Sequence, residues 1–593
     1  MRPTRQALAA AIACAACATA QIDLADSAPS LKIRGVNLGG WLVLEKWIKP
    51  SLFKEWNAFD KKAPKDQWTY CEKLGKTECK KRLEKHWDAW VDESTIADLA
   101  DAGITHVRIP IGHWITCNID EEEPYVCGEW PYLQRVAGWC RDKDVAIWLD
   151  LHTAPGSQNG FDNSGRTGAA TWDSSTGNVN RTLDVVRDVA ERVRDDADLS
   201  AVVTGFGLLN EPDASIKYWR MLHYYEDAYA IIRDVLGKDV SVYVGDMFNP
   251  QSFNWFWTGP DAPQGPSNSA ENVFLDSHIY ACFVDDLKAM TPRQHVTQVC
   301  KFERDHVNQC CWDGMPPHAT ELKRFVGEWT AAYDQTPSPE LEAYFEKHPR
   351  DLTPERFRFL QQFVLAQMMT YEATPEENLK YLPKKSIAGD FHGWFFWNFQ
   401  MELDAYREWD YLRGVREGWI PKLERGVTVE AQTGTTCAEL AAEASDCTTY
   451  VVDPFPKIPR WKGIPCVPPT KAEVVASFLL RALAVIGALA LFAGGAYRGG
   501  VRRLLVERSY FGHRRPPRFI HVVAAPPPRP SSGKDLHGMT RSQVRRRRRR
   551  EEGDERLQAR DGVRAAERGA RPPEGLHAHR RRPSEPGGHR QSH

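Results

Sequence analysis

Short apolar runs recur along this chain, and several end abruptly in polar, chemistry-bearing residues. The clearest is Gly205–Pro212, which reads Gly-Phe-Gly-Leu-Leu-Asn-Glu-Pro. The run Val202–Leu209 has the character of a buried strand, and Pro212 cannot continue one, so a turn begins there. Seven further runs behave alike: Ile33–Trp41, Thr105–Pro110, Val145–His152, Val240–Val244, Val273–His278, Phe325–Glu328 and Gly393–Trp397. Helical patterns separate them, at Tyr70–Ala102, Pro131–Lys143, Arg181–Asp195 and Ile216–Leu236. Gly103 stops the first of these as a helix-ending glycine does. Eight strands alternating with helices predict an α/β fold of parallel units closed into a (β/α)8 TIM barrel, spanning residues 31–423. Arg108, His152, Asn210, Glu211, His278, Glu328 and Trp397 stand at or near the C-terminal ends of different strands, the edge on which such barrels build their sites.

Glu211 and Glu328 each close an apolar strand. Two carboxylates are the minimum set for hydrolysing a glycosidic bond: one protonates the leaving oxygen, the other attacks carbon or activates water. Their environments must then push their pKa values apart. Asn210 is placed to hydrogen-bond a sugar hydroxyl. Arg108 carries the charge that keeps a carboxylate ionised, and His152, His278 and Tyr280 are candidates to orient either glutamate. Twenty-one Trp and 11% aromatics overall suit a site that offers ring faces to sugars, though a large core uses the same residues.

The flanks carry other signals. Residues 1–20 read as a secretory signal peptide: Arg2 and Arg5, an apolar run from Ala7, and Ala18-Thr19-Ala20 as the cleavage site. Two of 14 cysteines fall inside it, and the other twelve lie between Cys71 and Cys466. An even number confined to the exported segment predicts disulfides. The close pairs Cys71/Cys79, Cys117/Cys127 and Cys437/Cys447 are candidate local staples, although spacing does not settle connectivity. Asn180-Arg181-Thr182 is an N-glycosylation sequon, at Asn180. A Cys-, Pro- and Thr-containing linker is expected over 424–473.

Residues 474–497 are apolar apart from Arg481. A central arginine costs about 2.5–3.5 kcal/mol in a bilayer, whereas each Leu, Ile, Val or Phe returns about 0.3–0.6 kcal/mol. A single transmembrane helix is therefore expected. Arg498, Arg502 and Arg503 follow it, so its C-terminal side should face the cytoplasm. That makes a single-pass type I protein of the cell membrane, with its barrel outside. The basic tail, 498–593, is Pro-, Arg- and Gly-rich and is expected to be disordered. Its arginines suit anionic lipid or nucleic acid, but a solvated tail is the simpler reading, and no nucleic-acid partner is expected.

The motifs together resemble the secreted fungal-type exo-β-1,3-glucanases of glycoside hydrolase family 5, over about Leu31–Ile420. They are Arg34-Gly35-Val36-Asn37-Leu38-Gly39-Gly40-Trp41, Val107-Arg108-Ile109-Pro110, Leu149-Asp150-Leu151-His152, Leu209-Asn210-Glu211-Pro212, Asp276-Ser277-His278-Ile279-Tyr280 and Val326-Gly327-Glu328-Trp329. Most specific is the run from Pro155 to Gly165, which contains Gln158-Asn159-Gly160-Phe161-Asp162-Asn163. The resemblance implies a retaining hydrolase that releases glucose from the ends of β-1,3-glucan, with transglucosylation a further outcome, in cell-wall glucan metabolism. It implies that Glu211 is the acid/base and Glu328 the nucleophile. Arg108, His152, Asn210, His278, Tyr280 and Trp397 would surround the reacting sugar, and Glu45 would contact the terminal glucose. Phe161 and Phe283 would clamp the entrance, while Asp162 and Asn163 close the pocket. It implies no metal and no organic cofactor. A related β-glucosidase, an endo-β-glucanase and a catalytically inactive glucan-binding membrane protein remain the alternatives. The C-terminal extension and the Cys-rich insert Lys301–Pro317 depart from the family pattern.

Overall fold

A computed structural model describes residues 32–57, 60–248, 272–303, 309–310, 323–334, 336–347, 352–373, 387–388 and 391–445. All lie in the first of two units into which the chain divides, residues 1–524; residues 525–593 form the other. The expected signal peptide, transmembrane helix and basic tail fall outside the described residues. Among the described residues, no helix is long and apolar enough to cross a membrane.

Eight parallel strands close into a barrel: β1 (Ile33–Asn37), β2 (His106–Ile111), β3 (Ala146–Leu151), β4 (Val203–Gly207), β5 (Ser241–Gly245), β6 (Val273–Ile279), β7 (Lys323–Trp329) and β8 (Phe391–Phe396). Each pairs with its neighbours in sequence, and β8 closes on β1 through Ile33–Gly393 and Arg34–Trp394. The expected eight strands are all present. The helical region after β1 is three helices, Gln67–Leu74, Lys76–Trp90 and Glu93–Asp101. Asp66 and Asp92 start the first and third by accepting the amides of Thr69 and Thr95.

Alternation along each strand sorts the side chains. On β3, Ile147, Leu149 and Leu151 face the surrounding helices, and Trp148 and Asp150 face the interior. Ile33, Trp148, Tyr243, Phe274, Phe325 and Phe395 pack as one buried aromatic cluster, with Trp148 and Tyr243 stacked at 5.1 Å. This cluster accounts for the glycines around Phe206. A Cβ on Gly205 would sit 2.5 Å from the Trp148 ring, and one on Gly207 2.3 Å from the Tyr243 ring. Only Phe206 of that triplet carries a side chain, and it packs into the outer core.

The end of the barrel opposite the site is sealed by the segment after Leu423. Arg34, 4% exposed, donates twice to Glu372, at 2.8 and 2.9 Å, and to the carbonyls of Glu424 and Val427. Val429–Thr433 and Cys437–Glu443 are helices. Cys437 is bonded to Cys300, which corrects the candidate Cys437/Cys447 staple: a long-range bridge pins this segment to the barrel, and Cys447 lies outside the described residues. Cys71–Cys79 and Cys117–Cys127 do form.

Candidate active site

Arg108 lies at the centre of the barrel mouth, fully buried. β2 aims it inward between β1 and β3. Its Nη1 donates to Asn37 Oδ1 at 2.8 Å and to Glu328 Oε1 at 2.9 Å. Its Nη2 donates to Asn210 Oδ1 at 2.8 Å and lies 3.1 Å from Asp150. Burial works against the charge, but Asp150, Tyr243, Glu328 and Asp276 outweigh it and hold the guanidinium protonated.

Glu328 reaches this point only because β7 is irregular. Phe325 packs in the interior cluster, and three residues later plain alternation would turn Glu328 outward. Between Ser277–Val326 and His278–Glu328 the pairing with β6 slips by one residue. The extra residue, Gly327, brings Glu328 back inside. Its second oxygen accepts from the Tyr280 hydroxyl at 2.8 Å.

Glu211 follows β4 with φ +43°. Its Oε1 pairs with His278 Nδ1 at 2.8 Å, and its Oε2 accepts from Asn163 at 2.7 Å. His278 Nδ1 is also 3.4 Å from Glu328. One oxygen of each glutamate and one nitrogen of His278 all lie within 4.8 Å of one another. Among the described residues this is the group spaced to hold a metal ion. Both carboxylates, however, already accept from two protein donors each, an arrangement that suits a shared proton.

The charges in this group are linked. Burial, with the Glu211 charge, leaves Glu328 raised above the ordinary carboxylate value, with His278 and Arg108 opposing. Burial pushes Glu211 the same way, but the bonds from His278 and Asn163 win and leave it lowered. His278 itself is raised well above its usual value: Glu328, Asp276 and Glu211 overcome its burial. His278 thus favours its protonated form, and its Nδ1 lies 2.8 Å from Glu211 Oε1, within reach for a proton to pass between them. Arg108, bonded to Glu328 Oε1 at 2.9 Å, favours the ionised form of Glu328.

The Pro155–Gly165 run ties the ends of β3 and β4 together. Gln158 Nε2 donates to the carbonyls of His152 and Asn210, at 2.8 and 2.9 Å. Asn159 Nδ2 donates to the Glu211 carbonyl at 3.1 Å. The loop thus fixes three site residues through their backbone and a fourth contact, from Asn163, through a side chain.

A cavity of about 620 Å³ opens above this network, lined by Glu45, Phe161, Asp162, Asn163, Glu211, Tyr280, Phe283, Glu328 and Trp397 among others. Trp397 stacks on His152, with ring centres 5.7 Å apart and planes 10° off parallel. Arg108, His152, Asn210 and His278 lie beneath, so all thirteen expected site residues converge. Glu45 is pushed well above its usual pKa by burial and by Asp162, and burial lifts Asp162 to about 6. Glu45 Oε1, His152 Nε2 and Asn210 Nδ2 are among the buried polar atoms without a hydrogen-bond partner in the described residues, as are Arg108 Nε and Asp276 Oδ1 in the same network.

Four residues were not singled out from sequence. Asp150 accepts from His152 Nδ1 at 2.5 Å, and Asp276 lies 3.3 Å from His278 Nε2. The signal for both is a repeated Asp-x-His, on β3 and β6, which alternation places on one face. Trp47 and Trp409 also line the cavity; they sit in loops, where no periodicity marks them. Asn180 is exposed, on the helix Thr176–Asp195.

A family model described as cellulase (glycosyl hydrolase family 5) matches residues 72–347. Over 435 residues the chain is 36% identical to a glucan 1,3-β-glucosidase of Blumeria graminis, covering 68% of this chain and 90% of that protein. The chain belongs to glycoside hydrolase family 5. A second family relative, a glucan 1,3-β-glucosidase of Pichia angusta, is 32% identical over 413 residues, covering 66% of this chain and 86% of that one. A solved rutinosidase from Aspergillus niger aligns with a TM-score of 0.48 at 20% identity, over 66% of this chain and 98% of its own. Membership of the family agrees with the barrel and with carboxylates at the ends of β4 and β7.

Proposed function

We infer that this protein is a retaining exo-glucosidase that releases glucose from the non-reducing ends of β-1,3-glucan. The observation that carries the mechanism is the approach of Glu211 and Glu328, with oxygens within 4.8 Å in one cavity. Retaining enzymes hold their carboxyl groups about 5–5.5 Å apart, whereas inverting enzymes need about 6.5–9.5 Å to admit a water. Glu211 protonates the glycosidic oxygen as the bond from that oxygen to the anomeric carbon breaks. Glu328 attacks the same carbon and forms a glycosyl ester. Water then attacks that carbon, Glu211 takes its proton, and the ester bond breaks. Glucose leaves with its β configuration, and both carboxyl groups return to their starting states.

The unpartnered Glu45 Oε1, His152 Nε2 and Asn210 Nδ2 at the site support a polyhydroxylated ligand. Leaving such atoms unmet costs about 1–3 kcal/mol each, which sugar hydroxyls would recover. The names of the relatives supply the linkage. Incubation of the protein with laminarin tests it: glucose as the first product is expected, and oligosaccharides in its place would reject the exo reading.

We further propose that residues 1–20 direct secretion and that 474–497 anchor the enzyme in the cell membrane with the barrel outside. Three disulfides in the described residues support an oxidising compartment. A membrane-impermeant label should reach the barrel of intact cells and spare the tail; the reverse pattern would overturn this topology.

A further inference from the structure

Trp409 belongs to none of the motifs that mark the site. It ends the helical turn Asp404–Trp409 after β8. Its carbonyl accepts the amide of Asn398 at 2.7 Å, next to Trp397. The ring lines the cavity and is 3% exposed. Three aromatic neighbours enclose it: Trp47 at 5.0 Å and 73°, Tyr280 at 5.4 Å and 35°, and Phe283 at 6.1 Å and 59°.

Two of those neighbours each hold a carboxylate of the site. The Tyr280 hydroxyl donates to Glu328 Oε2 at 2.8 Å. Trp47 Nε1 donates to Glu45 Oε2 at 3.2 Å. These bonds arise from parts of the chain far apart in sequence, after β6 and after β1, and Trp409 is the ring they share. Hydrogen bonds weaken steeply with misalignment. A phenol or an indole keeps its alignment only while its ring is locked by packing. With Trp409 truncated, both rings would gain room to tilt.

We propose that Trp409 is a positioning residue that sets the Tyr280–Glu328 and Trp47–Glu45 bonds together. It acts on the reaction through Tyr280, so its kinetic consequence rests on Glu328 being the nucleophile. The structural consequence does not.

The test is a double-mutant cycle in the full-length protein. Trp409→Leu is expected to lower kcat for glucose release from laminarin by about 10–100-fold, the scale of an ångström-sized misplacement. KM should change less, and Trp409→Phe should recover most of the loss. In a Tyr280→Phe background the bond is already gone, so the same Trp409→Leu change should cost only a small fraction of that factor. The acidic limb of the pH profile should also move up in Trp409→Leu, because Glu328 loses a donor that favours its ionised form. Equal losses in both backgrounds, or an unmoved acidic limb, would overturn the proposal. A crystal structure of Trp409→Leu provides a readout independent of the substrate. Tyr280 displaced from Glu328 is the expected result, and an intact 2.8 Å bond would overturn the proposal even if the enzyme proves to act on another glucan.

Discussion

Trp148 and Asp150 stand two residues apart on β3, yet they serve different regions of the barrel. Trp148 belongs to the aromatic floor, with Ile33, Tyr243, Phe274, Phe325 and Phe395. Asp150 belongs to the charged layer above it, with Arg108, Asp276 and His278. The same step recurs on β6 from Phe274 to Asp276. The floor is held by burial and ring contact. The upper layer is held by paired charges, each of which would be costly alone. The two histidines show the contrast. His106 packs edge-on to Trp148 and Phe395, and desolvation depresses its pKa to about 3. His278, among carboxylates, is raised well above its usual value.

If the upper layer is for chemistry, Glu328→Gln should remove activity by more than about 10³-fold, the scale seen when a nucleophile is lost, in a protein that still unfolds cooperatively. Substantial activity in that variant would break the division. A paired experiment sharpens it. Arg108→Met and Phe325→Ala should each cost about 3–5 kcal/mol of stability in urea unfolding, one by stranding buried charges and the other by opening a cavity. They should part in activity: kcat collapses in Arg108→Met and is largely kept by the folded fraction of Phe325→Ala.

The histidines predict opposite pH dependences. Folded His106 stays neutral while the unfolded chain gains a proton below about 6.5. Its contribution is therefore lost as pH falls from there toward about 3. His278 is protonated when folded, so its contribution is complete below about 6.5 and lost as pH rises through its higher folded value. Urea midpoints should fall less on acidification in His106→Gln than in the parent, and less on alkalinisation in His278→Gln. Parallel curves for all three proteins would contradict the assignment. The smallest effect expected is that of Asn163→Ala. Loss of one hydrogen bond to Glu211, worth about 1.5–3 kcal/mol for a charged acceptor, should raise the pKa of Glu211 and displace the pH profile without abolishing turnover.

The barrel was legible because each strand carries its own apolar run and its own turn. The candidate pair was legible because both glutamates end such runs. Glu328 does face the cavity, but nothing in the sequence pattern alone marks the slip at Gly327 that turns it inward; that depends on the register with β6. Asp150 and Asp276 were visible as a repeated Asp-x-His, whose meaning appears once both strands face one interior. Trp47 and Trp409 were not visible, because their meeting is a property of two loops far apart in the chain. The same holds for Cys300–Cys437: spacing favours near neighbours, whereas the bridge follows the packing of a segment expected to be linker.

The central claim is a retaining attack by Glu328 with glucose as the first product. Proton NMR of the parent enzyme acting on laminarin, followed from the first minutes, tests it most directly. The account predicts β-glucose appearing first and the α anomer growing in only by mutarotation. An initial burst of α-glucose would contradict the retaining mechanism, and an initial burst of oligosaccharides would contradict exo-attack.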